Sequence, residues 1–132
     1  MMMVCTSVPH ESAPLHVTGR APYTDDIPEP AGTLHAALGL SPLAHGRLIS
    51  IDLERLRAQP GVVAVLTADD VPAENNIGPL AHDDPILAHG ELRYLGQPVF
   101  AVIATTRDAA RRAAALAPQV IQAEALPARL NA

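Results

Sequence analysis

Two short apolar runs constrain the fold of this chain most, because they are its clearest strand signals. VVAVLT at 62–67 is rich in β-branched residues, and VFAVIA at 99–104 is an unbroken apolar run. A Pro-Gly pair precedes the first run and a Gly-Gln-Pro corner precedes the second. Both runs are predicted to be buried strands, and weaker patterns at 33–40, 47–53 and 119–124 predict further strands.

Two helices are predicted between these strands. Asp52 can cap a short helix at about 53–59, which a Pro-Gly pair would end. Thr105 or Thr106 can cap a longer, alanine-rich helix at about 106–117, which is followed by a proline. Strands and helices in this order predict an α+β fold with a small mixed sheet.

The length and composition predict one globular domain. The chain has 132 residues, of which 48% are hydrophobic and 17% are charged. Residues 1–14 are predicted to be a flexible leader and 15–130 a single domain. The long segment at 68–91 is dominated by turn residues, and such a segment is usually functional, covered by a partner or mobile.

Composition also excludes several classes of function. The net charge is -5 and aromatic residues make up 2% of the chain, which argues against a nucleic-acid partner. All the basic residues are arginines, so Schiff-base catalysis, a P-loop lysine and a lysine-linked cofactor are excluded. With one cysteine, no signal peptide and no membrane-length apolar run, a cytoplasmic protein is expected.

Polar residues that could carry chemistry have simpler structural interpretations. Gln97 lies between Gly96 and Pro98 at the mouth of a predicted strand, without an acid, base or nucleophile near it in the sequence. It is therefore interpreted as a turn residue, since a residue before proline favours extended backbone. Three acidic pairs precede prolines and are interpreted as turn formers: they are Asp25-Asp26, Asp69-Asp70 and Asp83-Asp84.

The histidines offer one weak metal hypothesis. His82 and His89 are seven residues apart with carboxylates between them, but prolines break the segment, which fixes no ligand geometry. The other histidines form no close pair on a predicted element: they are His10, His16, His35 and His45. The stretch GLSPLAHG has Leu43 where a nucleophile elbow requires its second glycine. Arg107, Arg111 and Arg112 are predicted to form the solvated face of the alanine-rich helix.

Five motifs, in order along the chain, resemble the N-terminal α/β-hammerhead domain of the molybdenum hydroxylases, the xanthine dehydrogenase and aldehyde oxidase family. They are GRAPYTDD at 19–26, LHA at 34–36, SPLAH at 41–45, PGVVAVLTADDVP at 60–72 and GQPV at 96–99. The stretches at 24–42 and 82–91 are most similar to bacterial xanthine dehydrogenase large subunits. One residue departs from the family pattern: Ala123 stands where the closing strand usually has a tyrosine.

The resemblance implies a structural or assembly domain of a larger enzyme. That enzyme would hydroxylate purines such as hypoxanthine and xanthine and pass electrons through 2Fe-2S centres and FAD. In the family, much longer domains that follow the hammerhead hold molybdenum and its pterin, and they are absent from this sequence. The resemblance therefore implies no catalytic, cofactor-binding or metal residue here, and it implies the rest of the subunit and the Fe-S and FAD parts as partners.

Two alternatives stay open from the sequence. The first is a freestanding interaction module or truncated remnant without activity. The second, from a different class, is a small metal-dependent enzyme that uses His82 and His89. Whether the larger enzyme oxidises a purine or an aldehyde is also open, because no substrate-pocket residue is present.

Overall fold

The computed structural model describes residues 8–81 and 83–127. They fall into two compact units, with the described residues 8–31 in the first unit and 32–81 and 83–127 in the second. The predicted leader at 1–14 and single domain at 15–130 stay predictions. No helix in the described part of the chain is long and apolar enough to cross a bilayer.

The first unit contains one short helix and one turn. Helix α1 (Ala13–Val17) has Pro14 in its first turn, where the missing N–H of proline is not needed. The hydroxyl of Thr18 donates to the Pro14 carbonyl at 2.6 Å. A 3-10 turn follows at Thr24–Asp26. Helix α1 begins at Ala13, so it includes the last two residues of the predicted leader.

The second unit alternates short strands with short helices. In chain order its elements are β1 (His35–Leu40), β2 (Gly46–Ile51), α2 (Leu53–Arg57), β3 (Val62–Leu66), β4 (Glu91–Leu92), β5 (Pro98–Ala104), α3 (Arg107–Ala114), α4 (Ala117–Val120) and β6 (Ile121–Ala125). The five predicted strands and the two predicted helices are all present, with shifted ends. The α+β class is confirmed.

The predicted single mixed sheet is wrong, because the strands form two three-stranded antiparallel sheets. One sheet has the order β1-β5-β3 and the other β4-β2-β6. A parallel pair needs a crossover of a dozen or more residues. The link between β2 and β3 contains only the five-residue helix α2, which is too short for such a crossover. These two strands accordingly lie in different sheets.

Strand β5 is the centre of its sheet and of the core. It pairs with β1 on one side and β3 on the other, and Val99, Phe100 and Val102 are fully buried. Gly39 on β1 lies opposite Phe100, and a Cβ atom added to Gly39 would overlap the phenyl ring. The glycine therefore makes room for the only phenylalanine of the chain.

Strand β3 is more exposed than its sequence predicts. Val65 is buried, but Val63 keeps 56% of its surface exposed and Leu66 is also exposed. These side chains are exposed because β3 is an edge strand, with β5 as its only partner in the described sheet. A continuous β-branched run does not distinguish an edge strand from a central one.

The alanine-rich helix ends earlier than predicted. Thr106 caps α3, its hydroxyl accepting the Ala109 N–H at 3.1 Å, and the helix ends at Ala114 instead of 117. Pro118, which was predicted only to stop a helix, lies in the first turn of α4. The closing strand β6 therefore begins at Ile121 and not at 119. The buried face of α3 consists of alanines, which allow it to pack closely on the sheet.

The short helix α2 begins as predicted and ends two residues early. The carboxylate of Asp52 accepts the Arg55 N–H at 3.0 Å, which is the predicted N-cap. Leu56 is the buried residue of this helix and is fully enclosed in the core. Gly61, at φ 83°, turns the chain into β3.

Candidate interaction surface

Gln97 lies inside the protein and connects backbone segments. Its side chain is buried, with 1% of the residue exposed, and Oε1 accepts the Arg93 N–H at 2.7 Å. Its carbonyl accepts the Ser41 N–H at 2.8 Å, and its own N–H donates to Tyr94 at 3.2 Å. These bonds fix the corner that leads into β5, as the turn interpretation predicted.

Ser41, in the GLSPLAHG stretch, is also held by its own turn. Its hydroxyl donates to the Leu43 carbonyl at 2.9 Å and accepts the Leu43 N–H at 3.2 Å. The Ser41 carbonyl accepts the Gly96 N–H at 3.0 Å, which ties this turn to the Gly-Gln-Pro corner. Both polar residues thus stabilise the turns that bring β1 and β5 together.

His45, which follows in the same stretch, connects the turn before β2 to the segment after β6. Its Nδ1 lies 2.7 Å from the Pro127 carbonyl, and its Nε2 lies 3.3 Å from Glu91 Oε1. Arg93 Nε contacts the other oxygen of Glu91 at 3.4 Å, and its Nη1 donates to the Asp83 carbonyl at 2.9 Å. The hydrogen bond from His45, and then that from Arg93, hold the pKa of Glu91 below its ordinary value of 4.5.

Because the pKa of Glu91 is lowered by folding, its contribution to stability should depend on pH. The contribution is complete above the ordinary value of 4.5 and is lost as the pH falls through the lowered, folded-state pKa. In an NMR titration we expect the Glu91 carboxyl to protonate below pH 4.5, and His45→Gln to move its pKa back toward that value. A wild-type Glu91 that titrates at its ordinary value would contradict this interpretation of the contacts.

The acidic pairs are turn residues, in two different ways. Asp26 Oδ2 accepts the Tyr23 N–H at 3.0 Å. Asp70 Oδ2 accepts the N–H of Thr67 at 2.7 Å and its hydroxyl at 2.9 Å, and these backbone and side-chain bonds lower the pKa of Asp70. In the third pair, Asp83-Asp84, the main-chain carbonyls accept hydrogen bonds, from the Arg93 side chain and from the Ile77 N–H respectively.

The metal hypothesis gains no ligand set from the described residues. Among residues 8–81 and 83–127, no group of three or more histidine, cysteine, aspartate or glutamate side chains could hold a metal ion. His89 Nδ1 lies 3.5 Å from Asp69 Oδ1, and both side chains are exposed. His82 lies outside the described residues. In the first unit, His16 Nδ1 is 3.0 Å from the Tyr23 hydroxyl.

The segment between β3 and β4 is held by hydrogen bonds of its own. Asn75 pairs with the backbone of Leu87: its Nδ2 donates to the Leu87 carbonyl at 2.7 Å, and its Oδ1 accepts the Leu87 N–H at 3.0 Å. The Ala88 N–H donates to the Pro98 carbonyl at 2.7 Å. Hydrogen bonds within the chain therefore fix these residues of a segment for which the sequence left a functional, partner-covered or mobile role open. Sequence reasoning missed Asn75, which is one polar residue among many there.

Replacing Asn75 with Ala should destabilise the protein, because both backbone groups of buried Leu87 lose their partner. We expect a loss of about 1–2 kcal/mol in the free energy of unfolding, measured by urea denaturation. Asn75→Asp keeps the acceptor and loses the donor, so it should have an intermediate effect. Equal stability of all three proteins would show that this pairing does not hold the segment.

An open apolar groove lies between β1, the Gly-Gln-Pro corner and the helices α3 and α4. Its volume is about 500 Å³. Its lining residues are Ala37, Leu38, Leu40, Ser41, Pro42, Leu95, Gly96, Arg111, Ala114, Ala115, Ala117 and Pro118. We call it the β1–α3 groove. Leu38 is 50% exposed and Leu95 is 68% exposed, so large apolar side chains face solvent along it.

Arg111 is the only charged residue that lines this groove. The three arginines of α3 are exposed, as predicted. The guanidinium of Arg111 forms no hydrogen bond or ion pair within the described part of the chain, whereas Arg107 has a partner. The groove therefore combines an apolar surface with one cation, and sequence reasoning missed it because it exists only when α3 packs beside β1.

Comparison with known proteins identifies similar sequences. The family model described as "Aldehyde oxidase and xanthine dehydrogenase, a/b hammerhead domain" matches residues 18–123. A xanthine dehydrogenase of Oryza sativa subsp. japonica is 48% identical over 107 residues, which are 81% of this chain and 8% of that protein. Aldehyde oxidase 2 of Rattus norvegicus is 43% identical over 104 residues, which are 79% of this chain and 7% of that protein.

Solved structures show the same fold. The aldehyde oxidoreductase from Desulfovibrio gigas superposes with a TM-score of 0.76 at 32% identity, covering 90% of this chain and 14% of that one. Quinoline 2-oxidoreductase from Pseudomonas putida 86 gives a TM-score of 0.75 at 34% identity, covering 92% of this chain and 16% of that one. The chain thus spans less than a fifth of the proteins it matches.

Proposed function

The chain belongs to the aldehyde oxidase and xanthine dehydrogenase family as its a/b hammerhead domain, and we propose that it serves such an enzyme in assembly and not in catalysis. The proposed enzyme is of the xanthine dehydrogenase type. It hydroxylates purines such as hypoxanthine and xanthine and transfers the electrons through iron-sulfur centres and FAD. Its proposed location is the cytoplasm.

The observation that carries this proposal is that polar side chains of the chain bind its own backbone. Gln97, Ser41 and Asn75 are all hydrogen-bonded to backbone groups and shape turns or hold a loop. Apolar side chains are exposed along the β1–α3 groove and at the edge strand β3. Exposed apolar surface of this kind is typical of a protein that is covered by other polypeptide.

The residues of this chain do not fit the redox cofactors of such an enzyme. A 2Fe-2S cluster takes four thiolate ligands, and the chain has a single cysteine. The phosphate of a pterin or flavin cofactor favours several N–H donors or cations, and Arg111 is the only cation of the groove. We therefore assign molybdopterin-molybdenum, 2Fe-2S and FAD to the rest of the proposed enzyme, and no step of the reaction to this chain.

The sequence identities favour a xanthine dehydrogenase over an aldehyde oxidase as the type of the proposed enzyme. The rice xanthine dehydrogenase is 48% identical to this chain and the rat aldehyde oxidase 2 is 43% identical. Xanthine and an aromatic aldehyde should be compared as substrates of the assembled enzyme.

Copurification tests the proposed function. A tagged chain is expressed together with the remaining large-subunit polypeptide and the iron-sulfur and flavin subunits of the same organism. We expect a stable complex that contains the tagged chain. A chain that copurifies with none of them would instead support a freestanding module or an inactive remnant. Stoichiometric metal in the chain purified alone, lost in the variant His82→Ala/His89→Ala, would support the metal-dependent enzyme.

A further inference from the structure

The β1–α3 groove has a chemical character that restricts what can occupy it. Its walls are the apolar side chains of β1 and the small side chains of α3 and α4. Besides Arg111, the only polar side chain that lines it is Ser41, whose hydroxyl is already bonded to the backbone of Leu43. A small polar ligand needs several placed polar groups to orient it, and this groove does not provide them.

The cation of the groove selects the charge of the occupant. The guanidinium of Arg111 has no partner among the described residues, and it is the only charged group that lines the groove. A guanidinium that becomes covered requires a carboxylate or a similar acceptor to compensate its lost hydration. The occupant should therefore be mostly apolar and carry one acidic group at the position of Arg111.

We propose that the β1–α3 groove docks an apolar polypeptide segment of the larger oxidoreductase, and that an Asp or Glu of this segment pairs with Arg111. This inference rests on the proposed function, because it takes the segment from the remaining polypeptide of that enzyme. The volume of about 500 Å³ accommodates several side chains. The matched solved chains support such a source, since the chain covers only 14–16% of them.

The test measures whether the groove becomes covered in the complex. In a Cys5→Ser background, Ala115→Cys places one thiol in the groove, and Glu54→Cys places one on α2 outside it. The side chain of Glu54 is 90% exposed, so this second thiol controls for the reactivity of the reagent. The rate of alkylation by a maleimide is measured for the chain alone and for the copurified complex.

We expect the thiol at position 115 to react at least about tenfold more slowly in the complex, because the core of an interface excludes water. The thiol at position 54 should keep its rate. Arg111→Glu should restore fast alkylation at position 115 in the complex, since a like charge opposes docking. Arg112→Glu, the matched change on the neighbouring residue that does not line the groove, should leave the protection intact.

The possible failures are distinguishable. If the complex forms and position 115 stays as reactive as in the chain alone, the docking proposal is overturned and the proposed function stands. Protection that Arg111→Glu does not relieve overturns the carboxylate pairing. Protection that appears in the chain alone as its concentration rises assigns the groove to a second copy and also overturns the proposal. If no complex forms, the proposed function is overturned, and the docking proposal that rests on it is overturned as well.

Discussion

Replacing Phe100 with Ala is expected to lower the free energy of unfolding by about 3–5 kcal/mol, the largest effect of any single truncation in this chain. Phe100 is fully buried in the central strand β5 and is the largest side chain of the core. Its loss leaves a cavity beside Gly39, and a domain of this size has a total stability of only about 5–15 kcal/mol. Urea denaturation of the purified chain measures the change.

The close approach of Gly39 and Phe100 makes a sharper test through a double-mutant cycle. Gly39→Ala alone should destabilise by about 1–3 kcal/mol, because the added Cβ overlaps a ring that cannot move within a filled core. In the Phe100→Ala background the same change should be neutral or stabilising, since it fills part of the cavity. Leu38→Ala on the same strand, where the side chain is half exposed, should change stability by only about 0.5 kcal/mol. Additive effects of the two core changes would contradict the observed packing.

Replacing Gln97 with Leu should have the second largest effect, about 2–3 kcal/mol, although the two side chains are similar in volume. The leucine leaves the Arg93 N–H without the acceptor that the buried side chain of Gln97 provides. The turn before β5 also holds Ser41, so disorder there should spread to the end of β1. Hydrogen exchange of the Arg93 amide is the direct measurement, and we expect it to accelerate in Gln97→Leu.

A comparison with Gln97→Glu separates the hydrogen bond from the shape of the side chain. The glutamate keeps an acceptor for the Arg93 N–H but is charged at neutral pH, so its protein should recover stability as the pH falls and the carboxyl is protonated. Gln97→Leu should show no such recovery. If Gln97→Leu is as stable as the wild type, the side-chain bond does not hold the corner.

Local patterns were sufficient to predict most elements of this fold. The unbroken apolar run of β5, the Asp52 cap of α2 and the Thr106 cap of α3 all depend on residues close in sequence, and the structure contains each of them. Pairing is different, because β1 pairs with β5 across about sixty residues and β3 with β5 across about forty. The sequence contains no local signal for these partners, so one mixed sheet was predicted where two antiparallel sheets exist.

The candidate surface depends on contacts that are even more remote in sequence. His45 and Pro127 are 82 residues apart, and nothing in the SPLAH stretch indicates that the ring contacts the segment after β6. Arg111 was predicted as part of a solvated face, and it is exposed, but its position beside β1 depends on the packing of α3. The role of Gln97 could be predicted because Gly96 and Pro98 determine the local backbone. The hydrogen bond that its side chain accepts from the Arg93 N–H could not be predicted from the sequence.

The proposed role of this chain as an assembly domain is tested most directly by xanthine turnover. The purified 132-residue chain is assayed alone and after reconstitution with the other parts of the proposed enzyme, with an artificial electron acceptor present in both cases. We expect no xanthine oxidation above the protein-free rate for the chain alone, and oxidation only in the reconstituted complex. Turnover by the chain alone, with no other protein present, would contradict an assembly role.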